Sequence, residues 1–293
     1  MRILILSDTH FGFGAGTERE RDAFDAARSA LAEPADLVLL AGDIFDMRVP
    51  SPETFASALE LLVQLKLAHQ PDAGSGLRQG VAKLAAAPKE LPALARMGTP
   101  VIAVAGNHER RAKGLVNPVE ALERAGLLVH LHGQAATIQK GEEKVVIHGL
   151  SWLPDQYAAD ALREWAPKPI PGAYNILLLH QNLAPFLDVT PSIALAQLPA
   201  GFDFYLNGHI HEPGQGTIHG RPVLIPGSAV PTQLREESTK PKGYWTLETA
   251  SSALSFTEFP DQRPARYVEL DTAQSLEQMA AAIEAALRAV PAG

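Results

Sequence analysis

The chain of 293 residues is 46 % apolar and 20 % charged, an ordinary globular composition that can bury a sizeable core. It holds no cysteine, which excludes disulfides, thiolate metal sites and a cysteine nucleophile. The formal net charge of −8 is the wrong sign for holding nucleic acid by bulk charge, so any binding of phosphate groups would have to draw on bound cations or a local basic cluster.

In chain order, residues 3–6 form a short apolar run that ends at once in Ser7-Asp8. It reads as a buried strand and not as the apolar part of a secretory leader. Helical periodicity follows over 20–32, a strand over 37–41, and a helix over 53–67 that Ser51 and Pro52 start. Residues 70–92, rich in proline and glycine around a short helix-like apolar piece, read as an insertion or flexible connection between two helices. Further strands are expected at 101–105, 145–147, 176–179, 204–206 and 223–225, with a helix at 119–125. After Pro260 only a strand over 266–270 and an amphipathic helix over 275–290 remain, too little for an independent domain. The alternation predicts a layered α/β architecture. No stretch approaches the roughly 20 apolar residues that span a bilayer. With the lack of cysteine, a cytoplasmic protein without a membrane partner is expected.

Each strong polar signal follows one of these short strands. Residues 3–6 lead into Asp8-Thr9-His10, 37–41 into Gly42-Asp43-Ile44-Phe45-Asp46, and 101–105 into Gly106-Asn107-His108-Glu109. Residues 176–179 lead into His180-Gln181, and 204–206 into Gly208-His209-Ile210-His211. Asp, His and Asn are thus expected at one edge of a sheet, outside the strand ends where open α/β sheets bind ligands. Two divalent ions about 3.5–4 Å apart, placed for phosphoryl transfer, call for about seven protein ligands. A carboxylate can bridge them, imidazole supplies a nitrogen, and the asparagine amide a neutral oxygen. In Asp8-x-His10 and His209-x-His211 both side chains would point to one face of an extended segment. Gly42, Gly106 and Gly208 would let the backbone turn tightly beside the ions.

Any one such pair is commonplace; all of them in order, each behind an apolar strand, favour a metal site. His69, His130, His132, His148 and His219 lack a second ligand-type neighbour at the right spacing and read as structural. The nearest basic residues are Arg110, Arg111 and Lys113 after the His108 block, and Arg235, Lys240 and Lys242 further on. They are candidate phosphate contacts.

These blocks, D-x-H, G-D-x-x-D, G-N-H-[DE], H and G-H-x-H, resemble in order those of the calcineurin-like metallophosphoesterase superfamily, over residues 1 to about 230. The resemblance implies Asp8, His10, Asp43 and His211 on one metal, and Asp43, Asn107, His180 and His209 on the other, with Asp43 as the bridge. His108, held by Asp46, would protonate the leaving oxygen or stabilise the transition state. The implied fold is a sandwich of two central β-sheets flanked by helices. Residues 1–259 would be the catalytic domain, and 260–293 a short β-α appendage or part of a truncated capping domain.

Within the superfamily the chain is most similar to the SbcD-type nucleases of DNA double-strand-break repair. The blocks Pro50-Ser51-Pro52-Glu53-Thr54, Ile147-His148-Gly149-Leu150, Ile225-Pro226-Gly227-Ser228 and Lys242-Gly243-Tyr244 carry that likeness. It implies a manganese-dependent exonuclease and endonuclease acting on DNA, a homodimer, and an SbcC-like ATPase partner. Iron and zinc also suit these nitrogen and oxygen donors. Glu109 departs from the family's usual aspartate. Two other functions fit the blocks: a small-molecule or nucleotide phosphodiesterase or phosphatase, which the acidic charge favours, and a non-catalytic scaffold subunit.

Overall fold

The structure, a computed structural model, describes residues 1–68, 81–112, 114–233, 239–265, 267–271 and 273–289. The first half of the chain gives β1 (Arg2–Leu6), α1 (Asp22–Leu31), β2 (Leu37–Leu40), α2 (Pro52–Ala68), β3 (Lys83–Ala86), β4 (Val101–Ala103), α3 (Pro118–Arg124) and β5 (Val129–His130). Then come β6 (Gln134–Lys140), β7 (Glu143–Leu150), α4 (Asp155–Trp165), β8 (Tyr174–Leu179), β9 (Leu183–Ala184) and β10 (Ile193–Ala194). The last elements are β11 (Phe204–Asn207), β12 (Gly214–Ile218), β13 (Arg221–Ile225), β14 (Gly243–Glu248), β15 (Ala253–Glu258) and α5 (Leu276–Arg288).

Two sheets form the centre, as expected. One has the order β15-β14-β1-β2-β4-β5 and the other β12-β13-β11-β8-β7-β6-β3, while β9 and β10 make a separate small pair. The strands β1, β2, β4 and β5 run parallel, as do β7, β8, β11 and β13. Antiparallel strands close the edges.

The apolar runs are continuous because both faces of each sheet are covered. On β1, Ile3 and Ile5 enter the core between the sheets, whereas Leu4 and Leu6 pack with Phe24 of α1 and Leu61 and Leu62 of α2. On β8, Ile176 and Leu178 face that inter-sheet core, and Leu177 and Leu179 pack outside with Ala158 and Leu162 of α4. Register then aligns the strand exits. Leu6 lies beside Leu40 and Leu40 beside Ala103, while Leu179 lies beside Asn207.

Three expectations are corrected. The polar clusters leave strands of two sheets, not the edge of one: β1, β2 and β4 belong to the first sheet, β8 and β11 to the second. The helix-like piece within 70–92 is the edge strand β3, antiparallel to β6. Its Lys-Leu-Ala-Ala sequence favours a helix by propensity, but an open sheet edge supplies backbone partners and a pocket for Leu84. Residues 70–80 of that segment lie outside the described residues. Residues 267–270, expected as a strand, join neither sheet, so the regular part of the C-terminal appendage is α5. Ser275 caps that helix, accepting from the Gln278 N–H, while Leu276, Ile283 and Leu287 are exposed. Among the described residues no helix is long and apolar enough to cross a membrane.

Candidate metal centre

Beyond the strand ends the chains keep pairing. The Asp8 N–H donates to the Gly42 carbonyl at 3.0 Å, the His10 N–H to Asp43 at 3.0 Å, and the Phe11 N–H to Ile44 at 2.8 Å. This pairing runs in a strained form, because Asp8, His10, Asp43 and His209 have φ of 49°, 49°, 47° and 77°. Left-handed backbone at non-glycine residues costs about 1–3 kcal/mol each and gathers at functional sites. Asp8 and His10 therefore share a face through left-handed turns, not through the extended geometry expected from their spacing. Close approach explains the glycines. A Cβ on Gly42 would lie 2.2 Å from His180 Nδ1, and one on Gly106 would lie 2.0 Å from Asp43 Oδ1.

Other buried groups fix these loops. Glu109, wholly buried, accepts from the Phe45 N–H at 2.7 Å and the Gly106 N–H at 2.6 Å, tying the β2 loop to the β4 loop. The block after β13 works in the same way. The Ser228 N–H reaches the His211 carbonyl, the Ala229 N–H reaches that of Asp8, and the Lys242 ammonium donates to both the His211 carbonyl and Ser228 Oγ at 3.1 Å.

The side chains so placed gather into clusters whose donor atoms lie within 4.8 Å of one another: Asp8, His10, Asp43 and His211; Asp43, His180 and His209; and His10, Asp46 and His108. Asp43 belongs to the first two. His10 Nε2 and His211 Nε2 are 3.1 Å apart, and His211 Nε2 is 3.6 Å from Asp8 Oδ1. His180 Nε2 stands 3.4 Å from Asp43 Oδ2. Asn107 joins the second group, its Oδ1 lying 2.9 Å from His209 Nδ1. All seven expected ligands thus meet at one place.

Several of these imidazoles have the opposite nitrogen engaged. His180 Nδ1 donates to the Ala41 carbonyl at 2.6 Å, His211 Nδ1 lies 2.9 Å from Thr232 Oγ1, and His209 Nε2 lies 2.7 Å from Asn182 Oδ1. Metal-binding histidines are oriented in this manner. Meanwhile Asp8 Oδ1 and His180 Nε2 are buried without a hydrogen bond. Buried orphans of this kind call for a partner, and a cation fits both. Four imidazoles, two carboxylates and an amide oxygen suit manganese, iron or zinc.

Electrostatics bind the group together. Burial raises Asp8 to about 6, against the pull of His180. Burial also opposes ionisation of Asp43, yet His180, His10 and His108 hold it well below the usual carboxylate range. Burial disfavours a charged His180, but Asp43 and Asp8 keep it protonated up to about 9. His209 and His211 are lowered to about 4 and 3, by burial first and then by neighbouring histidines.

His108 lies at the mouth, its side chain 36 % exposed, with Nε2 4.0 Å from Asp43 Oδ2. Its Nδ1 donates to the backbone carbonyl of Asp46 at 2.6 Å, whereas the Asp46 carboxylate lies nearer His10 Nδ1 (3.3 Å) than His108 Nδ1 (3.9 Å). Asp46 therefore holds His108 through its main-chain carbonyl.

The basic residues divide. Arg110 is exposed beside Trp152, and an Arg111 N–H donates to the Arg48 carbonyl at 3.4 Å. Lys113 and Arg235 lie outside the described residues, as does His69. Lys240 pairs with Glu212, and the ammonium of buried Lys242 donates to the His211 carbonyl and Ser228 Oγ. His130, His148 and His219 bond Ser151, Asn175 and the Leu198 carbonyl, and none of them or His132 joins a metal-capable cluster among the described residues. The sequence reading passed over Asn182, Thr232 and the bracing role of Glu109. Only Glu109, beside the Gly-Asn-His block, carried a local signal.

Residues 1–213 match the calcineurin-like phosphoesterase family, and the chain belongs to it. Its similarity to proteins of the double-strand-break branch is consistent across archaea and eukaryotes. It is 29 % identical over 285 residues to the DNA double-strand break repair protein Mre11 of Methanopyrus kandleri, covering 88 % of this chain and 56 % of that one. To the Mre11 of Saccharolobus solfataricus it is 27 % identical over 268 residues, covering 88 % and 61 %. To the Arabidopsis thaliana MRE11 it is 27 % identical over 314 residues, covering 92 % and 43 %. The chain thus spans about half the length of these relatives.

Proposed function

We propose that the chain is a two-metal nuclease that hydrolyses phosphodiester bonds of DNA in double-strand-break repair. The observation that carries this reading is the pair of ligand clusters meeting at Asp43, in a chain whose relatives are named for break repair. Asp8, His10, Asp43 and His211 would hold one cation, and Asp43, Asn107, His180 and His209 the other. Bound there, two divalent cations would activate water and neutralise the phosphoryl oxygens.

The protein's own groups do the rest. The Ala41 carbonyl accepts from His180 Nδ1–H, so that Nε2 is the nitrogen that would face a metal once its proton is displaced. The Asp46 carbonyl accepts a hydrogen bond from His108 Nδ1–H, which leaves Nε2, 4.0 Å from Asp43 Oδ2, as the nitrogen that would donate to the leaving oxygen. Arg110 and Arg111 supply positive charge beside the cleft for the phosphate backbone, and Lys113 follows them in sequence. The branch resemblance adds manganese as the preferred metal, a homodimer and an SbcC-like ATPase partner. The cysteine-free composition suits a cytoplasmic setting.

A manganese-supplemented assay on linear duplex DNA, single strands and a small phosphodiester tests the reading. DNA cleavage that a chelator abolishes is expected. Turnover of the small ester alone would replace the nuclease with a small-molecule phosphodiesterase, a reading that the net charge of −8 favours. No turnover at all would leave a scaffold subunit. Charge reversal at Arg110 and Arg111 should weaken DNA binding and flatten its dependence on salt; an unchanged slope counts against the phosphate contact.

A further inference from the structure

Behind the loop that carries Asn107 and His108 lies a second recess, of which the chemistry above uses only Arg110 and Arg111. Arg110, Arg111, His132, Ser151, Trp152 and Pro154 line it. The Arg110 guanidinium carbon stands 5.3 Å from the centroid of the Trp152 ring, within cation–π range. Arg110 is exposed and forms no ion pair among the described residues, although Glu109 and Glu120 line the same recess.

Trp152 is only half-buried, yet its backbone is firmly placed. Its N–H donates to the Ala105 carbonyl at 2.8 Å, and the neighbouring Ser151 Oγ accepts from the Ala105 N–H at 2.9 Å. The Ser151 carbonyl in turn accepts from the Gln181 amide at 3.3 Å. Ala105 directly precedes Gly106-Asn107-His108, and Gln181 directly follows His180. The indole is therefore mounted on the backbone that carries two of the candidate ligands. A π face, an exposed guanidinium outside any ion pair and a rigid mount beside a phosphate-cleaving centre are the elements of nucleobase stacking with phosphate contact.

We infer that Trp152 and Arg110 form a stacking subsite for one unpaired nucleobase of the substrate strand, next to the phosphate being cut. The inference rests on the nuclease reading and gives that site a preference for strands with unstacked ends.

An abasic scan tests it. Single-turnover cleavage with manganese is measured on a single-stranded oligonucleotide and on versions lacking one base at each position in turn. The wild-type protein should slow about tenfold when one particular base near the cut is missing, as one lost stacking contact would give. Trp152→Leu should show the same tenfold loss on the intact strand and no further loss when that base is absent. Trp152→Phe keeps a ring face and should remain close to wild type. Losses from Trp152→Leu and from base removal that multiply at every position would overturn the subsite and leave the nuclease reading intact. So would a Trp152→Leu protein as fast as wild type. A wild-type protein that hydrolyses bis(p-nitrophenyl) phosphate but no oligonucleotide would overturn the nuclease reading, and the subsite with it.

Discussion

Asp43 is the residue on which the centre turns. It is buried, belongs to both metal-capable clusters, faces His180 and His108, and accepts the His108 backbone N–H at 2.9 Å. Asp43→Asn should lower turnover by at least about 10³, on the scale of removing a key electrostatic group, and reduce the bound metal below two ions per chain. Metal analysis of the purified variant checks the second point. Glu109→Ala removes the acceptor of two buried N–H groups, at about 1–3 kcal/mol for each donor left unsatisfied, and should also lower activity although Glu109 joins no metal-capable cluster among the described residues. Denaturant unfolding of wild type and variant measures the loss. Protonation gives a third test. Metal ligands must be deprotonated, but His180 keeps its proton up to about 9 and Asp8 up to about 6. Between pH 6 and 9, binding therefore displaces the His180 proton, and also that of His10, which against burial Asp46 and Asp8 hold above the ordinary imidazole range, so affinity should rise by at least about tenfold per pH unit. Below pH 6 it should rise more steeply, as Asp8 must also ionise. Calorimetry in buffers of different ionisation enthalpy reads the proton count, and binding without proton release would contradict the assigned ligands.

At the scale of elements, some of the fold was legible and some was not, for separable reasons. The runs at β1, β2, β8 and β11 announce themselves because covered faces demand apolar side chains at every position. The edge strands β12 and β15 carry Gly-Gln-Gly-Thr-Ile and Ala-Leu-Ser-Phe-Thr-Glu with little burial, so their neighbours define them and not their own pattern. The edge strand β3 misled for the same reason. Lys66 is a second kind of omission. It looks like a solvent-facing lysine near the end of α2, but its ammonium is buried and donates to the carbonyls of Ala95, Met97 and Thr99. Those carbonyls lie on the segment that enters β4, so the helix is pinned to the strand carrying the Gly-Asn-His block. Lys66→Met keeps the stem but leaves the carbonyls unpaired, and should cost about 1–3 kcal/mol. Burial lowers Lys66 from 10.5 to about 8. The unfolded chain then binds the extra proton between those values, so stability from this group rises with pH across that window. The methionine variant should lack that rise in urea titrations at pH 8 and pH 10.

At the scale of the whole molecule, the candidate site was legible because its residues sit immediately after strands. That two sheets supply them was not, because strand order is set by pairings hundreds of residues apart, such as β1 with β14. The arrangement gathers the buried Asp8 and Asp43 carboxylates in a protein of net charge −8, with four candidate ligands in strained backbone. Bound cations would offset the carboxylate charge. Manganese at 100 times its dissociation constant would stabilise the fold by about 2.7 kcal/mol and should raise the melting temperature by roughly 4–8 °C. A chelator should reverse the shift, and a melting curve indifferent to both would speak against a metal centre.

The claim beneath all of this is that ligands from two sheets hold two cations with Asp43 between them. Anomalous diffraction from crystals soaked in manganese measures it directly. The expected result is two peaks about 3.5–4 Å apart, with the Asp43 carboxylate contacting both. A single peak at saturating manganese, or two peaks of which Asp43 touches only one, would contradict it.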